Sequence, residues 1–164
     1  MPDQHGSEPA SIPEHLHAVT PRLVVRGAAA AIDFYCTAFA AEEVGERFTG
    51  PSGEVIHAEI RIGDSVVMLS DEAEESAPAK APQSVGNIVT AIMATYWDDV
   101  DATWQRAVEA GAEVVYPLAD QFYGDRAGRL RDPFGQQWML SKRIENVPAE
   151  EMDRRAAAFF DQSE

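Results

Sequence analysis

His57 and Glu59 are the pair of side chains in this sequence whose types and spacing best suit acid–base chemistry. They lie two residues apart in a run that alternates like a β-strand, so both side chains are expected on one face of it. A carboxylate beside an imidazole can orient the ring as a general base. The same spacing also fits a buried pair that only satisfies its own hydrogen bonds. Arg22, predicted beside them, can hold an anionic group of a ligand or neutralise Glu59.

The remaining reactive side chains form no comparable constellation. Cys36 lies in an alanine-rich helical pattern with no His or Asp beside it, so we expect a buried or half-buried, inert thiol. His5, His15 and His17 share no helix face, which favours solvated residues of an N-terminal arm over a metal-binding tail.

The composition limits the classes of partner. The formal net charge is −15, from 28 acidic and 13 basic side chains. This charge disfavours binding to nucleic acid or to anionic lipid, so we expect no nucleic-acid and no membrane partner. A single cysteine, the absence of a membrane-length apolar run and the lack of a signal-peptide pattern favour a cytoplasmic protein.

Residues 132–141 give the clearest local indication of secondary structure in the chain. Pro133 and Gly135 predict a tight turn, because proline fixes its own φ and glycine supplies a positive φ at the end of the turn. A hairpin is therefore predicted, with residues 136–141 as its second strand. In that strand Trp138 faces away from Gln137 and Met139.

Hydrophobic periodicity predicts the same order of elements twice along the chain. The first set comprises strands over 17–26, 42–49, 54–61 and 65–70, with a helix over 27–41 after the first strand. The second comprises a β-rich run over 87–97, a helix over 99–110 and a strand over 112–117 before the hairpin. The residues at 67–70 also match those at 138–141, and those at 40–44 match 110–114. Together these observations predict a duplicated βαβββ unit.

The predicted organisation follows from this repeat. Residues 1–16 are expected to form a mobile N-terminal arm and 17–143 one duplicated domain. Within it, module one spans 17–71, a linker spans 72–86 and module two spans 87–143. Residues 144–164 are predicted to contain a C-terminal helix, with an apolar stripe that packs on the domain or on a partner subunit.

Several motifs make the chain similar to a known superfamily. They are Asp120-Gln-Phe-Tyr-Gly-Asp125, the turn Asp132-Pro-Phe-Gly135 with Trp138, Ala31-Ile-Asp-Phe-Tyr35, and the segment 57–70. In these motifs the chain resembles the vicinal oxygen chelate superfamily, which includes glyoxalase I, extradiol dioxygenases and bleomycin and fosfomycin resistance proteins. The PhnB-like branch is the most similar. The resemblance covers about residues 19–143 and implies an α+β fold, in which tandem βαβββ modules form a half-open mixed β-barrel around a cup.

The resemblance also implies where a metal would be held. Enzymes of this superfamily bind a divalent ion with His, Gln or Glu, and their ligand positions correspond here to Thr20, Met68, Ile92 and Met139. A hydroxyl, two thioethers and a hydrocarbon side chain are poor ligands for such an ion. We therefore expect no metal ligands and no cofactor.

The cup is instead expected to bind a small amphipathic or aromatic molecule. Phe122 and Tyr123 are predicted either to form an aromatic lip or only to cover the mouth of the barrel. The first alternative is a metal-independent isomerase, cyclase or lyase that uses His57 and Glu59, and the second is a metal-dependent lyase or dioxygenase with unusual ligands. A degenerate protein without a pocket is a further alternative. Exposed sheet edges favour a homodimer. The predicted ligand-binding residues are Thr20, Arg22, Met68, Ile92, Tyr96, Phe122, Tyr123, Gln137 and Met139.

Overall fold

Two mixed sheets and three α-helices make up the computed structural model, which describes residues 10–73 and 78–161. The first module contains β1 (Arg22–Val25), α1 (Ala28–Phe39), β2 (Glu42–Glu43), β3 (Phe48–Thr49), β4 (Val55–Ile62) and β5 (Ser65–Asp71). The second contains β6 (Met93–Tyr96), α2 (Val100–Glu109), β7 (Glu113–Asp120), β8 (Asp125–Arg131) and β9 (Gln137–Arg143). Helix α3 (Ala149–Asp161) follows, and a short 3₁₀ helix lies at Pro82–Val85.

The two modules share one topology. The strand order is β1-β5-β4-β2 in the first sheet, where β3 also pairs with β4, and β6-β9-β8-β7 in the second. In each sheet the first strand runs parallel to the last, and the other pairs are antiparallel. The predicted α+β class and internal duplication are therefore confirmed, and the described strands close into no complete barrel, which is consistent with a half-open cup.

Each sheet has one face that packs against the helices. The other face of each sheet is not covered by these helices, and we call it the open face. In the first sheet Arg22, Met68 and Glu59 lie in register across β1, β5 and β4 on this face. In the second, Ala94 and Met139 lie in register across β6 and β9. The predicted alternation of side chains is thus confirmed for these strands.

Two predicted strands are shorter than expected, which removes two site residues from the sheets. The strand predicted over 17–26 begins only at Arg22, because Pro21 has no N–H and the Thr20 hydroxyl donates to the His17 carbonyl at 3.2 Å in a local turn. The run predicted over 87–97 is a strand only at Met93–Tyr96, so Ile92 precedes it.

Helix α1 joins the modules into one hydrophobic core. Its Phe39 and Tyr35 rings lie 4.8 and 5.2 Å, respectively, from the Trp138 ring on β9 of the other module. All three side chains are almost completely buried. Aromatic contacts at these separations contribute about 0.5–1.5 kcal/mol each beyond the burial of apolar area.

A buried carboxylate lies at the centre of this junction. Tyr35 and Trp138 donate to Asp132 Oδ2 at 2.7 and 2.8 Å, and the backbone N–H groups of Phe134 and Gln136 donate to Oδ1 at 2.9 Å. Burial raises the pKa of Asp132, while these four hydrogen bonds act in the opposite direction. The predicted turn at residues 132–135 is thus present, and Gly135 has the expected positive φ of 88°.

Asp71, at the end of β5, accepts hydrogen bonds at the N-terminus of α1, where the residue at the cap position has no side chain to do so. The residue at the cap position is Gly27, which has no side chain, and the N–H groups of Gly27 and Ala28 both donate to Asp71 Oδ1 at 2.8 Å. Val55 donates to Asp71 Oδ2 at 2.8 Å. One carboxylate therefore connects the helix to two strands of the first sheet.

The part of the predicted linker that follows residue 77 packs on the second module. Ala81 and Pro82 are buried, and the Gln83 amide donates to the Pro133 carbonyl at 2.9 Å. A Cβ added at Gly135 would come within 2.8 Å of Pro82 Cβ, so the turn accepts only glycine there. Residues 74–77 of the linker lie outside the described part of the chain.

Among residues 10–73 and 78–161, no helix has both the length and the apolar composition that crossing a membrane requires.

The Tyr35–Asp132 hydrogen bond predicts that the folded protein loses stability at alkaline pH. Burial, followed by the charge of Asp132 and the hydrogen bond to it, raises the pKa of Tyr35 well above its ordinary value of 10.0. The folded chain keeps this proton at pH values where the unfolded chain loses it. Stability is therefore fully present below pH 10 and falls above it, by up to about 1.4 kcal/mol per pH unit.

Tyr35→Phe should remove this part of the alkaline decline and cost about 1–3 kcal/mol at neutral pH, because the buried carboxylate loses a donor. Urea unfolding of both proteins from neutral pH to about pH 11 measures the two effects. Tyr116→Phe is the matched control, since Tyr116 is exposed. Parallel stability curves for the wild type and Tyr35→Phe above pH 10 would contradict the assignment.

Candidate functional site

Three side chains form a hydrogen-bonded chain on the open face of the first sheet. His57 Nε2 lies 3.3 Å from Glu59 Oε1, and His15 Nε2 lies 2.8 Å from Glu59 Oε2. The Glu59 side chain is only 14% exposed, whereas both imidazoles are more than one-third exposed. The sequence prediction that β4 places His57 beside Glu59 agrees with this geometry. The carboxylate can orient both rings.

His15 is the residue of this group that sequence reasoning missed. It was expected to be a solvated residue of the arm, but it lies against β4. Residues 13–16 make a turn in which the Leu16 N–H donates to the Pro13 carbonyl. This segment has no strand or helix periodicity, so no signal in the sequence relates His15 to a strand 44 residues away.

Arg22 does not neutralise Glu59. Its guanidinium donates to the Ile56 carbonyl at 3.1 Å, and the structure records no ion pair between it and Glu59 within the described chain. Met68 lies between the two residues in register, on the open face and half-buried. The recorded side-chain partners of Glu59 in the described chain are therefore the two imidazoles and not Arg22.

A cavity of about 630 Å³ lies between the two modules. Its walls come from the segment before β1, the turn between β4 and β5, and β6. Two of the predicted ligand-binding residues, Thr20 and Tyr96, line it. The complete lining is His17, Val19, Thr20, Pro21, Ile62, Gly63, Asp64, Ser65, Val66, Val67, Met93, Ala94, Thr95, Tyr96, Trp97 and Trp138.

A second cavity, of about 150 Å³, involves the open face of the second sheet. It contains two more of the predicted residues, Tyr123 and Met139. Its lining is Tyr116, Gln121, Tyr123, Ala127, Gly128, Arg129 and Met139. Sequence reasoning missed Arg129, because the arginine-rich run that became β8 lacks the alternation of apolar and polar residues that indicates a face.

The remaining predicted residues line neither cavity. Phe122 and Tyr123 contact each other with ring centroids 5.4 Å apart, but Phe122 also packs at 5.1 Å against Phe159 of α3. Gln137 lies on the open face in register with Arg131. Ile92 lies before β6 and is 39% exposed. The predicted ligand-binding residues thus divide between two cavities and the surface around them.

Known proteins share the sequence pattern and the fold of this chain. The family model described as "Glyoxalase/Bleomycin resistance protein/Dioxygenase superfamily" matches residues 15–140, which is most of the chain. The chain belongs to this superfamily.

The similarity to individual relatives also covers most of the chain. A protein of Mycobacterium tuberculosis that bears the name "Uncharacterized protein" is 46% identical over 137 residues, which cover 82% of this chain and 79% of the relative. TioX from Micromonospora sp. ML1 has a TM-score of 0.61 and 25% identity, covering 77% of this chain and 98% of TioX. The PhnB protein from Bacillus cereus, with a TM-score of 0.57 and 21% identity, covers 77% and 99% and shows the fold alone.

The superfamily's metal does not fit the residues found here. The positions that the resemblance assigns to its ligands hold Thr20, Met68, Ile92 and Met139, and the Thr20 hydroxyl already donates to a backbone carbonyl. Thioethers and hydrocarbon side chains are poor ligands for a divalent ion of this type. Within the described ranges, no group of three or more His, Cys, Asp or Glu side chains has a geometry that could hold a metal ion.

The His15–Glu59 contact predicts that Glu59 holds the segment before β1 in place. Glu59→Gln should increase hydrogen–deuterium exchange of the amides of residues 15–20 about two- to fivefold, because a hydrogen bond of this kind contributes about 0.5–1 kcal/mol. Mass spectrometry of peptides that cover residues 10–22 measures this. Glu54→Gln is the control, because Glu54 bonds only within its own turn. Unchanged exchange in Glu59→Gln would show that the contact does not hold the segment.

Proposed function

We propose that this superfamily member binds a small amphipathic or aromatic molecule, and that the cavity between the modules receives the apolar body of that molecule. The observation that carries the proposal is the cavity itself. Its volume of about 630 Å³ lies within the range of about 300–1,000 Å³ that small-molecule sites have. Two of its aromatic residues, Tyr96 and Trp97, are accessible and offer ring surfaces suited to an aromatic ligand.

The polar groups at the cavity wall are already held in place. The Trp97 indole N–H donates to the Thr95 hydroxyl at 2.8 Å, and that hydroxyl donates to the Met139 carbonyl at 3.0 Å. The Tyr96 hydroxyl donates to Asp125 at 3.2 Å. Because these hydrogen bonds form within the protein, they hold the side chains in place and little ordering is required when a ligand binds. This supports a preformed site.

We further propose that binding requires no metal, as the chemistry of Thr20, Met68, Ile92 and Met139 supports. The motifs at residues 120–125 and 132–135 support assignment to the PhnB-like branch. Apolar burial is then the main source of affinity in the cavity.

A bulky side chain in the cavity should weaken the binding of an aromatic ligand. Ala94 lines the cavity and is exposed, so Ala94→Trp adds bulk there without disturbing the core. The probe is 8-anilino-1-naphthalenesulfonate, an amphipathic aromatic dye whose fluorescence rises in apolar surroundings. We expect one dye per wild-type chain, unaffected by EDTA, and at least tenfold weaker binding to Ala94→Trp.

Ala30→Trp is the matched control, because Ala30 is exposed on α1 and lies outside the cavity lining. It should bind the dye as the wild type does, and melting temperatures confirm that both variants are folded. Equal binding by Ala94→Trp and the wild type would reject this cavity, and loss of binding in EDTA would reject metal independence.

A second candidate function is metal-independent acid–base catalysis by His57. The observation that favours it is the chain in which one carboxylate orients two imidazoles. An imidazole held by a carboxylate can accept a proton from a bound substrate in an isomerisation, cyclisation or lyase step.

This candidate predicts turnover of bound compounds. Compounds that bind to the wild type are incubated with it and analysed by mass spectrometry and chromatography for products of changed structure. His57→Gln should lower any such conversion at least a hundredfold while leaving the affinity for the compound within about threefold. Arg61→Gln is the control, because Arg61 is exposed on the same strand as His57 and lines neither cavity. Conversion that survives His57→Gln would remove His57 from the chemistry.

A further inference from the structure

We infer that Arg129 binds an oxyanion of the ligand, a carboxylate or phosphate, in the second cavity. The inference rests on the proposed function, because it names the chemical class of the molecule that the chain binds. The observation that carries it is a guanidinium that reaches a cavity without an acidic partner.

Arg129 lies on the open face of β8, in register with Met139 of β9 and Tyr116 of β7. Its Cζ is 5.1 Å from the centre of the Tyr116 ring, a distance at which a cation–π contact stabilises the position of the guanidinium. Its Nε is buried and finds no hydrogen-bond acceptor in the described chain. A guanidinium without an acidic partner keeps an uncompensated positive charge, and an anionic oxygen in the cavity would compensate it.

The neighbouring arginines differ from Arg129 in having carboxylate partners. Arg131, two residues along the same face, also has a buried Nε without an acceptor, but its guanidinium pairs with Glu113 at 3.3 Å. Arg143 pairs with Asp125, and Arg126 on the opposite face pairs with two aspartates. In the residues that the structure describes, no carboxylate lies within ion-pair distance of Arg129, although the sequence contains 28 acidic side chains.

The rest of the cavity suits the oxyanion of an aromatic or amphipathic molecule. Burial, followed by the charges of Asp125 and Tyr96, raises the pKa of Tyr123, so its hydroxyl keeps its proton and can donate to an anion. The Gln121 amide instead donates to the Ala119 and Ala127 carbonyls at 3.2 Å, which occupies its N–H groups. A volume of about 150 Å³ admits one carboxylate or phosphate and leaves the body of the molecule outside.

Three matched compounds test the inference: 2-naphthoate, 2-naphthyl phosphate and the neutral 2-naphthamide. Isothermal titration calorimetry gives their affinities for the wild-type chain, Arg129→Gln, Arg129→Lys and Arg131→Gln. In the wild type we expect at least one of the two anions to bind at least tenfold more tightly than the amide. Arg129→Gln should remove this preference, and Arg129→Lys should retain part of it because the charge remains. Arg131→Gln, whose guanidinium is already paired, should retain it.

The outcomes separate the two proposals. Equal affinity of the wild type for both anions and for the amide, or a preference that survives Arg129→Gln, overturns the role of Arg129 and leaves the proposed function standing. Failure of all three compounds to bind overturns both. The better-bound anion distinguishes a carboxylate from a phosphate as the group recognised. The wild-type comparison and Arg129→Lys keep the test decisive if Arg129→Gln does not fold.

Discussion

The buried carboxylate of Asp132 is the constraint on which the arrangement of both modules depends. Its two oxygens accept four hydrogen bonds, two from the turn that contains it and one each from Tyr35 and Trp138. A charge buried this deeply is tolerated only when such donors surround it, so the β8–β9 turn, α1 and β9 must occupy fixed relative positions. The same turn sets the register of β8 against β9 and hence brings Arg129 opposite Met139. The core junction and the open face of the second sheet thus share one structural cause.

Duplication has produced two sheets with the same strand order but different polar chemistry on their open faces. The first carries a carboxylate between two imidazoles, and the second carries an arginine stacked on a tyrosine. The helix-facing sides are alike, because both modules must bury apolar residues against a helix. The open faces do not contribute to that core, and they are therefore the surfaces on which function can diverge after duplication.

Local sequence patterns made much of the fold predictable, whereas contacts between distant segments could not be predicted. The turn at residues 132–135 follows from a proline and a glycine, and the position of His57 beside Glu59 follows from strand alternation. The Tyr35–Asp132 hydrogen bond joins residues 97 apart, and the His15–Glu59 contact joins residues 44 apart. No periodic pattern encodes such pairs. Arg129 was missed for a third reason: the sequence of β8 resembles a charged loop, and only pairing with β9 reveals which of its side chains share a face.

The proposed metal-independent binding requires the binding energy at this site to come from contacts with the protein alone. An ion would hold a ligand through a few directional bonds, but thioethers and ring surfaces hold it mainly through apolar burial. An aromatic group that buries about 150–250 Å² contributes about 4–6 kcal/mol by that route, before the cost of association. One charged hydrogen bond from Arg129 adds about 1.5–3 kcal/mol. Apolar burial would therefore set most of the affinity, while the cation of Arg129 would decide between anionic and neutral ligands of the same shape, because a neutral analogue leaves the guanidinium charge uncompensated.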